Sequence, residues 1–188
     1  MIAISAMRNM TSLMTVCVFA VATTSAAAAQ PYGLDGKIIH VSDGDTVTLL
    51  LSDHTKRNIR LSSIDSPEKA HTDKQTGRIG QPYAVNAGRF LADLTKGRTV
   101  AAKCYGPDKY GRDVCEIMVD GLSANRAMVE AGWAWANVAA NGRYLRDSSM
   151  PAVEAGARQR RAGLWAGANP TEPWSWRAQC WVAGHCGQ

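Results

Sequence analysis

The 188-residue chain lacks several features that would point to other kinds of protein. Its five cysteines include no Cys-X-X-Cys pair and its four histidines form no ligand pattern, so a structural zinc site is not supported. The apolar run at Met10–Val21 is short for a membrane span and is interrupted by Thr11, Ser12 and Thr15. Little therefore favours a zinc-bound or membrane-spanning protein.

The first residues have the organisation of an export signal. Arg8 gives a positive start, Met10–Val21 is the apolar region, and Ser25–Ala29 offers small residues for cleavage. We expect residues 1–29 to be a signal peptide and the mature chain, beginning near Gln30, to be periplasmic or secreted without a membrane attachment. A retained anchor is the alternative.

Charge gives a modest indication of partners. The formal net charge of +5 falls to +4 without residues 1–29, because Arg8 is the only charged residue there. A basic balance of this size favours polyanionic partners, although it does not identify them.

The cysteines favour an oxidising compartment. Cys17 leaves with the signal, and the even remainder suits two disulfides, for which three connectivities are possible. We favour Cys104–Cys115 and Cys180–Cys186, because the members of each pair are close in sequence and the first pair flanks a predicted hairpin.

Two acidic segments border strand-forming runs. Val41–Val47 contains Asp43 and Asp45, and Ile59–Glu68 contains Arg60 followed by Asp65 and Glu68. Each segment alone resembles an ordinary turn or strand exit. If the strands pair, four carboxylates meet at one end of a sheet, and they would repel one another unless a cation or an arginine compensated. Such oxygen ligands suit Ca²⁺ or Mg²⁺.

The pattern of the rest predicts a mixed fold. A core-facing helix is expected over Tyr83–Leu94, with Val85, Phe90, Leu91 and Leu94 as its apolar face. The third strand is expected to reach Ile64, where it must end or bend if Arg60 and Asp65 are to act together. The other expected elements are strands at 37–40, 46–51, 99–104 and 113–118, and helices that begin near Ser123 and Ser149.

Three motifs in order resemble the staphylococcal nuclease family. They are Asp-Gly-Asp-Thr at 43–46, an arginine-bearing strand leading into Asp-Ser-Pro-Glu at 65–68, and Asp-Lys-Tyr-Gly-Arg at 108–112. The resemblance covers roughly Lys37–Trp165. It implies an α+β fold, a five-stranded OB-type Greek-key β-barrel with three helices.

The resemblance also implies a role for each motif residue. Ca²⁺ would be bound by Asp45, Asp65 and the main-chain carbonyl of Ser66, with Asp43 in the outer shell. Arg60 and Arg112 would grip the phosphate, Glu68 would orient or deprotonate the attacking water, and Lys109 and Tyr110 would contact a terminal phosphate.

These roles predict a Ca²⁺-dependent nuclease that hydrolyses DNA and RNA with little sequence preference, and the resemblance further implies 3′-phosphate products. We expect a monomer with a nuclease domain at 30–165 and a tail at 166–188, rich in Trp and Cys, packed on that domain. The alternative is a catalytically inactive OB-type nucleic-acid-binding module, and a third possibility is a cell-envelope interaction protein with a vestigial cleft.

Overall fold

The computed structural model describes residues 30–70 and 77–186. The expected signal peptide at 1–29 lies outside these described residues. Within them, no helix has both the length and the apolar character that a bilayer span requires.

A closed β-barrel forms the body of the molecule. Its five strands are β1 (Tyr32–Val41), β2 (Thr46–Leu51), β3 (Lys56–Leu61), β5 (Thr99–Pro107) and β6 (Asp113–Val119), with the two-residue strand β4 (Ile64–Asp65) after β3. Neighbours pair antiparallel in the order β3-β2-β1-β5-β6, and a parallel pairing of β3 with β6 closes the barrel. The predicted five-stranded OB-type barrel is confirmed.

Two further short strands complete the sheets. β7 (Leu122–Ser123) extends the barrel sheet from β6, and β8 (Trp135–Ala136) pairs with β4. The β4–β8 pairing matters for function, because it fixes the backbone that carries Asp65 outside the main barrel ladder.

Alternate side chains of the barrel strands fill its interior. The fully or almost fully buried ones are Ile38, Val47, Leu49, Ile59, Leu61, Val100, Ala102, Cys104, Cys115 and Ile117. Burial of each large aliphatic side chain contributes about 1.5–3 kcal/mol relative to leaving it exposed. This rigid core gives the strand ends, where the polar residues lie, a fixed position.

The structure joins Cys104 to Cys115 and Cys180 to Cys186. Cys104 and Cys115 lie directly opposite each other on β5 and β6, and their sulfur atoms are 2.03 Å apart. A bridge of this kind contributes about 2–4 kcal/mol. It lies at the base of the connection that carries Lys109 and Arg112.

Three longer helices cover the barrel: α1 (Ala84–Thr95), α2 (Ala124–Glu130) and α4 (Met150–Gln159). The predicted cap of α2 is present, since the Ser123 hydroxyl oxygen accepts the Arg126 N–H at 3.2 Å. The face of α1 was predicted wrongly at Val85, which is 65% exposed, because Ala84, Ala87 and Leu91 form the buried stripe.

The remaining elements are short. They are the irregular turn α3 (Ala139–Gly142), in which three residues have positive φ, a 3₁₀ turn at Gly163–Ala166, α5 (Pro173–Trp176) and a π-helical segment at Arg177–Val182. We call residues 171–186 the tail segment. The indole N–H groups of Trp176 and Trp181 both donate to the carbonyl oxygen of Ile79, at 3.2 and 2.9 Å. These bonds hold the tail segment against Ile79, which precedes α1.

Candidate active site

The turn between β1 and β2 presents Asp43 and Asp45. One Asp43 carboxylate oxygen accepts the Asp45 N–H at 3.0 Å, which tightens the turn. Gly44 is required there, because a Cβ at this position would lie 2.7 Å from the Cβ of Ser66 and 2.8 Å from that of Ala87. The glycine therefore lets the turn pack against the chain that leaves β4.

A sharp turn after β3 brings Asp65 beside Arg60. The strand ends at Leu61, so the expectation that it continues to Ile64 was wrong. Ser63 adopts a left-handed conformation with φ of 65°, and its hydroxyl oxygen accepts the N–H groups of Arg146 and Asp147 at 2.7 and 3.0 Å. These bonds fix the turn. Asp65 therefore lies beside Arg60, although strict alternation of strand side chains would place the two residues on opposite faces.

Asn125 also holds this turn. Its buried side-chain amide donates to the carbonyl oxygens of Ser62 and Cys115, at 2.9 and 3.0 Å, and its oxygen accepts the Ile117 N–H at 3.0 Å. Sequence reasoning missed Asn125, because an asparagine in the first turn of a helix is usual and its partners lie on distant strands. Asn125 therefore has a positioning role, because it holds the turn between Arg60 and Asp65.

The Asp45 carboxylate is buried and receives several donors. The N–H and hydroxyl of Ser66 each donate to it at 2.8 Å, and Thr46 donates at 3.1 Å. Burial opposes ionisation, but the charge of Arg60 and the Ser66 hydrogen bonds outweigh it and keep the pKa of Asp45 below its usual value. Asp45 is therefore a fixed negative charge. The role of the Ser66 carbonyl as a ligand stays a prediction.

Arg60 connects the two central carboxylates. Its guanidinium lies 2.7 Å from an Asp65 oxygen and 3.2 Å from an Asp45 oxygen, and its side chain is only 14% exposed. It also donates to the Leu61 carbonyl oxygen at 3.0 Å. Part of the repulsion expected between Asp45 and Asp65 is thus offset by an arginine.

The pKa values of Glu68 and Asp43 are raised, whereas that of Asp45 is lowered. Burial, opposed by the neighbouring Arg177, raises the pKa of Glu68 to about 6. Burial and the charge of Asp45 raise the pKa of Asp43 to about 7. Raised pKa values at the partly buried Asp43 and Glu68 show that negative charge is unfavourable there, and a bound cation would relieve this.

Arg112 reaches the same end of the barrel from the β5–β6 connection. Asp108 accepts its main-chain N–H and its Nε at 3.0 and 2.8 Å, and Gly111, with φ of 77°, allows the tight turn between them. The Arg112 guanidinium donates to the Thr46 hydroxyl at 3.2 Å, and that hydroxyl donates to Asp45. The other terminal nitrogen lies 2.7 Å from Asp108, so all three guanidinium nitrogens of Arg112 have a partner beside the carboxylates.

Lys109 and Tyr110 lie at the rim of the site. Tyr110 is 71% exposed, and the Lys109 ammonium lies 4.9 Å from the centre of its ring. An exposed aromatic ring with adjacent cations is better suited to contacting a nucleotide than to packing in a hydrophobic core. Their predicted contact with a terminal phosphate stays a prediction.

Arg177 was missed by sequence reasoning altogether. It donates to Asp65 at 2.8 Å and forms a short ion pair with Glu68, although it is 112 residues from Asp65 in sequence. No motif marks it, and it lies in the tail segment, where the family resemblance ends. Only its position between Trp176 and Cys180, in a segment expected to pack on the domain, hinted at a role.

The donor set fits Ca²⁺ in chemistry, since it consists of carboxylates and a possible main-chain carbonyl. Within residues 30–70 and 77–186, however, no three acidic, histidine or cysteine side chains converge as a ready-made cation site. Asp45 and Asp65 are instead engaged by Arg60 and Arg177. The residues that could hold a cation are present, and arginines contact them.

Comparison with known proteins agrees with this geometry. Residues 58–167 match the family described as "Staphylococcal nuclease homologue". The chain belongs to this family. The matched range includes Arg60, Asp65, Glu68 and Arg112 and ends before Arg177, so the family resemblance predicted from the three motifs is confirmed.

Individual relatives support the same assignment. An Escherichia coli O157:H7 protein named "Uncharacterized endonuclease" is 34% identical over 145 residues, which are 77% of this chain and 85% of that protein. The "Micrococcal nuclease" of Shigella flexneri is 34% identical over 154 residues, 76% of this chain and 79% of its own length. "Staphylococcal-like nuclease CAN1" of Arabidopsis thaliana is 37% identical over 122 residues, 65% of this chain and 33% of its own.

The raised pKa values predict how stability without added cation depends on pH. The folded-state pKa values of Asp43 and Glu68 lie above their ordinary values of 3.8 and 4.5. Their stabilising contribution is complete below about pH 4 and is lost as pH rises through 6 and 7. We expect the free energy of unfolding, measured with urea in chelator, to fall by on the order of 2–4 kcal/mol between pH 5 and pH 8.

The Asp43→Asn variant is the matched control for this prediction. It should show a smaller fall over the same interval, because the contribution of Asp43 is then absent and that of Glu68 remains. A free energy of unfolding that rises from pH 5 to pH 8 in the unsubstituted protein would contradict the prediction.

Proposed function

We propose that this protein is an exported Ca²⁺-dependent nuclease that hydrolyses phosphodiester bonds of DNA and RNA with little sequence preference. The observation that supports it best is the meeting of Asp45, Asp65 and Glu68 with Arg60 and Arg112 at one end of the barrel. The Escherichia coli O157:H7 and Shigella flexneri relatives, which match over 85% and 79% of their own length, carry nuclease names, which supports the same activity.

The residues divide the work of hydrolysis between them. Asp45, Asp65 and the Ser66 carbonyl would hold the cation, which would supply positive charge to neutralise the phosphate. Arg60 is buried at the carboxylates and can donate to a phosphate oxygen. Arg112 approaches from the other side, so the two planar forks can hold one phosphate and stabilise the charge that develops on it.

Glu68 is the residue placed to act on water. Its carboxylate can orient a water molecule and take one of its protons as the oxygen attacks phosphorus. Its pKa, raised to about 6 without a cation, leaves it mostly ionised at neutral pH, as a proton acceptor must be. The bond between phosphorus and the 5′ oxygen breaks, the 5′ oxygen takes a proton from solvent, and the phosphate stays on the 3′ oxygen, which gives the 3′-phosphate products that the family resemblance implies.

Features outside the catalytic cluster support an exported protein that acts on nucleic acid. The four cysteines of the mature chain are all paired, as expected in an oxidising compartment. The net charge is positive. The exposed Lys109 and Tyr110 can contact a nucleic-acid strand, with the lysine facing phosphates and the tyrosine ring stacking on a base. Retention of all the charged catalytic positions favours an enzyme over the OB-type binding module.

The test is cleavage of plasmid DNA and of RNA by the chain from residue 30, with Ca²⁺, with Mg²⁺ or with excess chelator. Ca²⁺ should support cleavage of both substrates and chelator should abolish it. Asp65→Asn should lose the activity, whereas Asp93→Asn, the same change on the exposed side of α1, should keep it. Undiminished cleavage in chelator would exclude the cation requirement.

A further inference from the structure

The tail segment carries a guanidinium into the candidate active site. Arg177 donates to one Asp65 oxygen at 2.8 Å and to the other at 3.4 Å, and it also pairs with a Glu68 oxygen. The Asp65 side chain is 2% exposed and that of Glu68 is 19% exposed. The arginine therefore covers both acids where solvent would otherwise reach them.

Other contacts anchor the segment that carries Arg177. The indoles of Trp176 and Trp181 share the Ile79 carbonyl oxygen as acceptor, and Arg78 lies over the Trp181 ring at 5.0 Å from its centre. The Cys180–Cys186 disulfide closes the same segment. Arg177 is thus flanked on both sides by residues that fix the backbone.

Gln81 links the anchor to Glu68. Its side-chain nitrogen donates to the Thr171 carbonyl oxygen at 2.9 Å, and its oxygen accepts the Glu68 N–H at 2.9 Å. The buried Gln81 side chain therefore connects the tail segment to the backbone of Glu68.

Both Asp65 oxygens already have a guanidinium partner in this arrangement. Arg60 takes one oxygen at 2.7 Å and Arg177 takes the other at 2.8 Å. Arg60 is buried among the carboxylates, whereas the Arg177 side chain is 38% exposed on a peripheral segment. A cation that approaches Asp65 would displace Arg177, because that contact is the more accessible of the two.

We propose that Arg177 is a built-in competitor of the divalent cation, which holds the enzyme in a closed form until the cation and an anionic strand displace the tail segment. The inference rests on the proposed function, since it concerns regulation of the same site. If the competent form is a fraction of the population, the apparent cation affinity is reduced by that fraction. The phosphate chain assists opening, because it offers Arg177 another anionic partner.

The test is calorimetric titration of Ca²⁺ into the full mature chain and into its Arg177→Gln variant. The variant should bind Ca²⁺ about 10-fold more tightly, as expected for a closed form that dominates by that ratio. Arg160→Gln is the matched control, because it removes the same charge from a guanidinium that donates to the Glu130 carbonyl oxygen. Its affinity for Ca²⁺ should equal that of the unsubstituted chain.

A second measurement needs no variant. Ca²⁺ added with a nonhydrolysable oligonucleotide should speed amide hydrogen exchange in residues 173–182 of the unsubstituted protein. Slower exchange there, or equal Ca²⁺ affinity in the Arg177→Gln variant, would overturn the proposal. Reduced turnover of the variant at saturating Ca²⁺ with equal affinity would overturn it too and would make Arg177 a phosphate-binding residue.

Failure of the proposed function gives a different result. If neither protein cleaves nucleic acid while the variant binds Ca²⁺ more tightly, competition at Asp65 and Glu68 stands and the nuclease assignment falls. If the unsubstituted chain cleaves with Ca²⁺ while the two affinities are equal, the assignment stands and the competition falls.

Discussion

Replacing Arg112 by lysine is expected to lower turnover by on the order of 10³–10⁵, the range contributed by comparable arginines in phosphoryl transfer. Lysine keeps the positive charge but loses the planar fork that can hold two phosphate oxygens at once. The affinity for an uncleaved oligonucleotide should change far less, because a ground-state phosphate needs mainly charge.

The geometry explains why Arg112 should act in the transition state. Its Nε is held by Asp108 at 2.8 Å, and one terminal nitrogen contacts Thr46 at 3.2 Å beside Asp45. The guanidinium is therefore oriented before substrate arrives and costs little reorganisation during the reaction. A lysine would lose the Asp108 contact that aims the group as well as the fork.

Turnover and the affinity for a nonhydrolysable analogue should be measured side by side. Arg98→Lys is the matched control, because Arg98 forms an exposed pair with Asp120 and the change there should leave both quantities intact. Equal losses of turnover and affinity in Arg112→Lys would make Arg112 a binding residue. Unchanged turnover would remove it from the catalytic machinery.

The meeting of the acids could be predicted from local signals, whereas the five-stranded OB-type barrel was predicted from the resemblance that the three motifs carry. The Asp-Gly turn joins two strand-forming runs, and the motif around Asp65 follows a third, so pairing of neighbouring strands brings the acids together. The disulfide choice was similar, since Cys104 and Cys115 flank a hairpin and the register places them opposite each other.

The details that sequence did not give depend on distant contacts. The turn at Ser62 and Ser63 is set by Asn125 and by the backbone near Arg146, which follow later in the chain. Arg177 reaches Asp65 only because the tail segment folds onto Ile79. On α1, small alanines face the core beside Leu91 and leave Val85 outside, so hydrophobicity alone placed Val85 wrongly.

Replacing Glu68 by glutamine should lower turnover by on the order of 10²–10⁴, the usual contribution of a positioned acid or base. Glutamine retains an oxygen that can accept from Arg177 and nearly the same volume, but it cannot take a proton from water. The Michaelis constant should stay close to its original value, because the change removes an interaction that matters as the water attacks.

The pH profile separates this role from a structural one. The carboxylate must be ionised to accept a proton, so turnover of the unsubstituted enzyme should fall at acid pH. That fall should lie at or below about pH 6, since a nearby divalent cation favours the ionised form and lowers the pKa from its cation-free value of about 6. The residual turnover of Glu68→Gln should lack this acid limb.

A matched change elsewhere completes the test. Glu130→Gln alters an exposed glutamate on α2 and should keep both the turnover and the acid limb. If Glu68→Gln raised the Michaelis constant and left turnover intact, Glu68 would serve binding alone. If both variants retained the acid limb, another carboxylate would carry the proton, and Asp43, whose pKa is raised to about 7, would be the next to substitute.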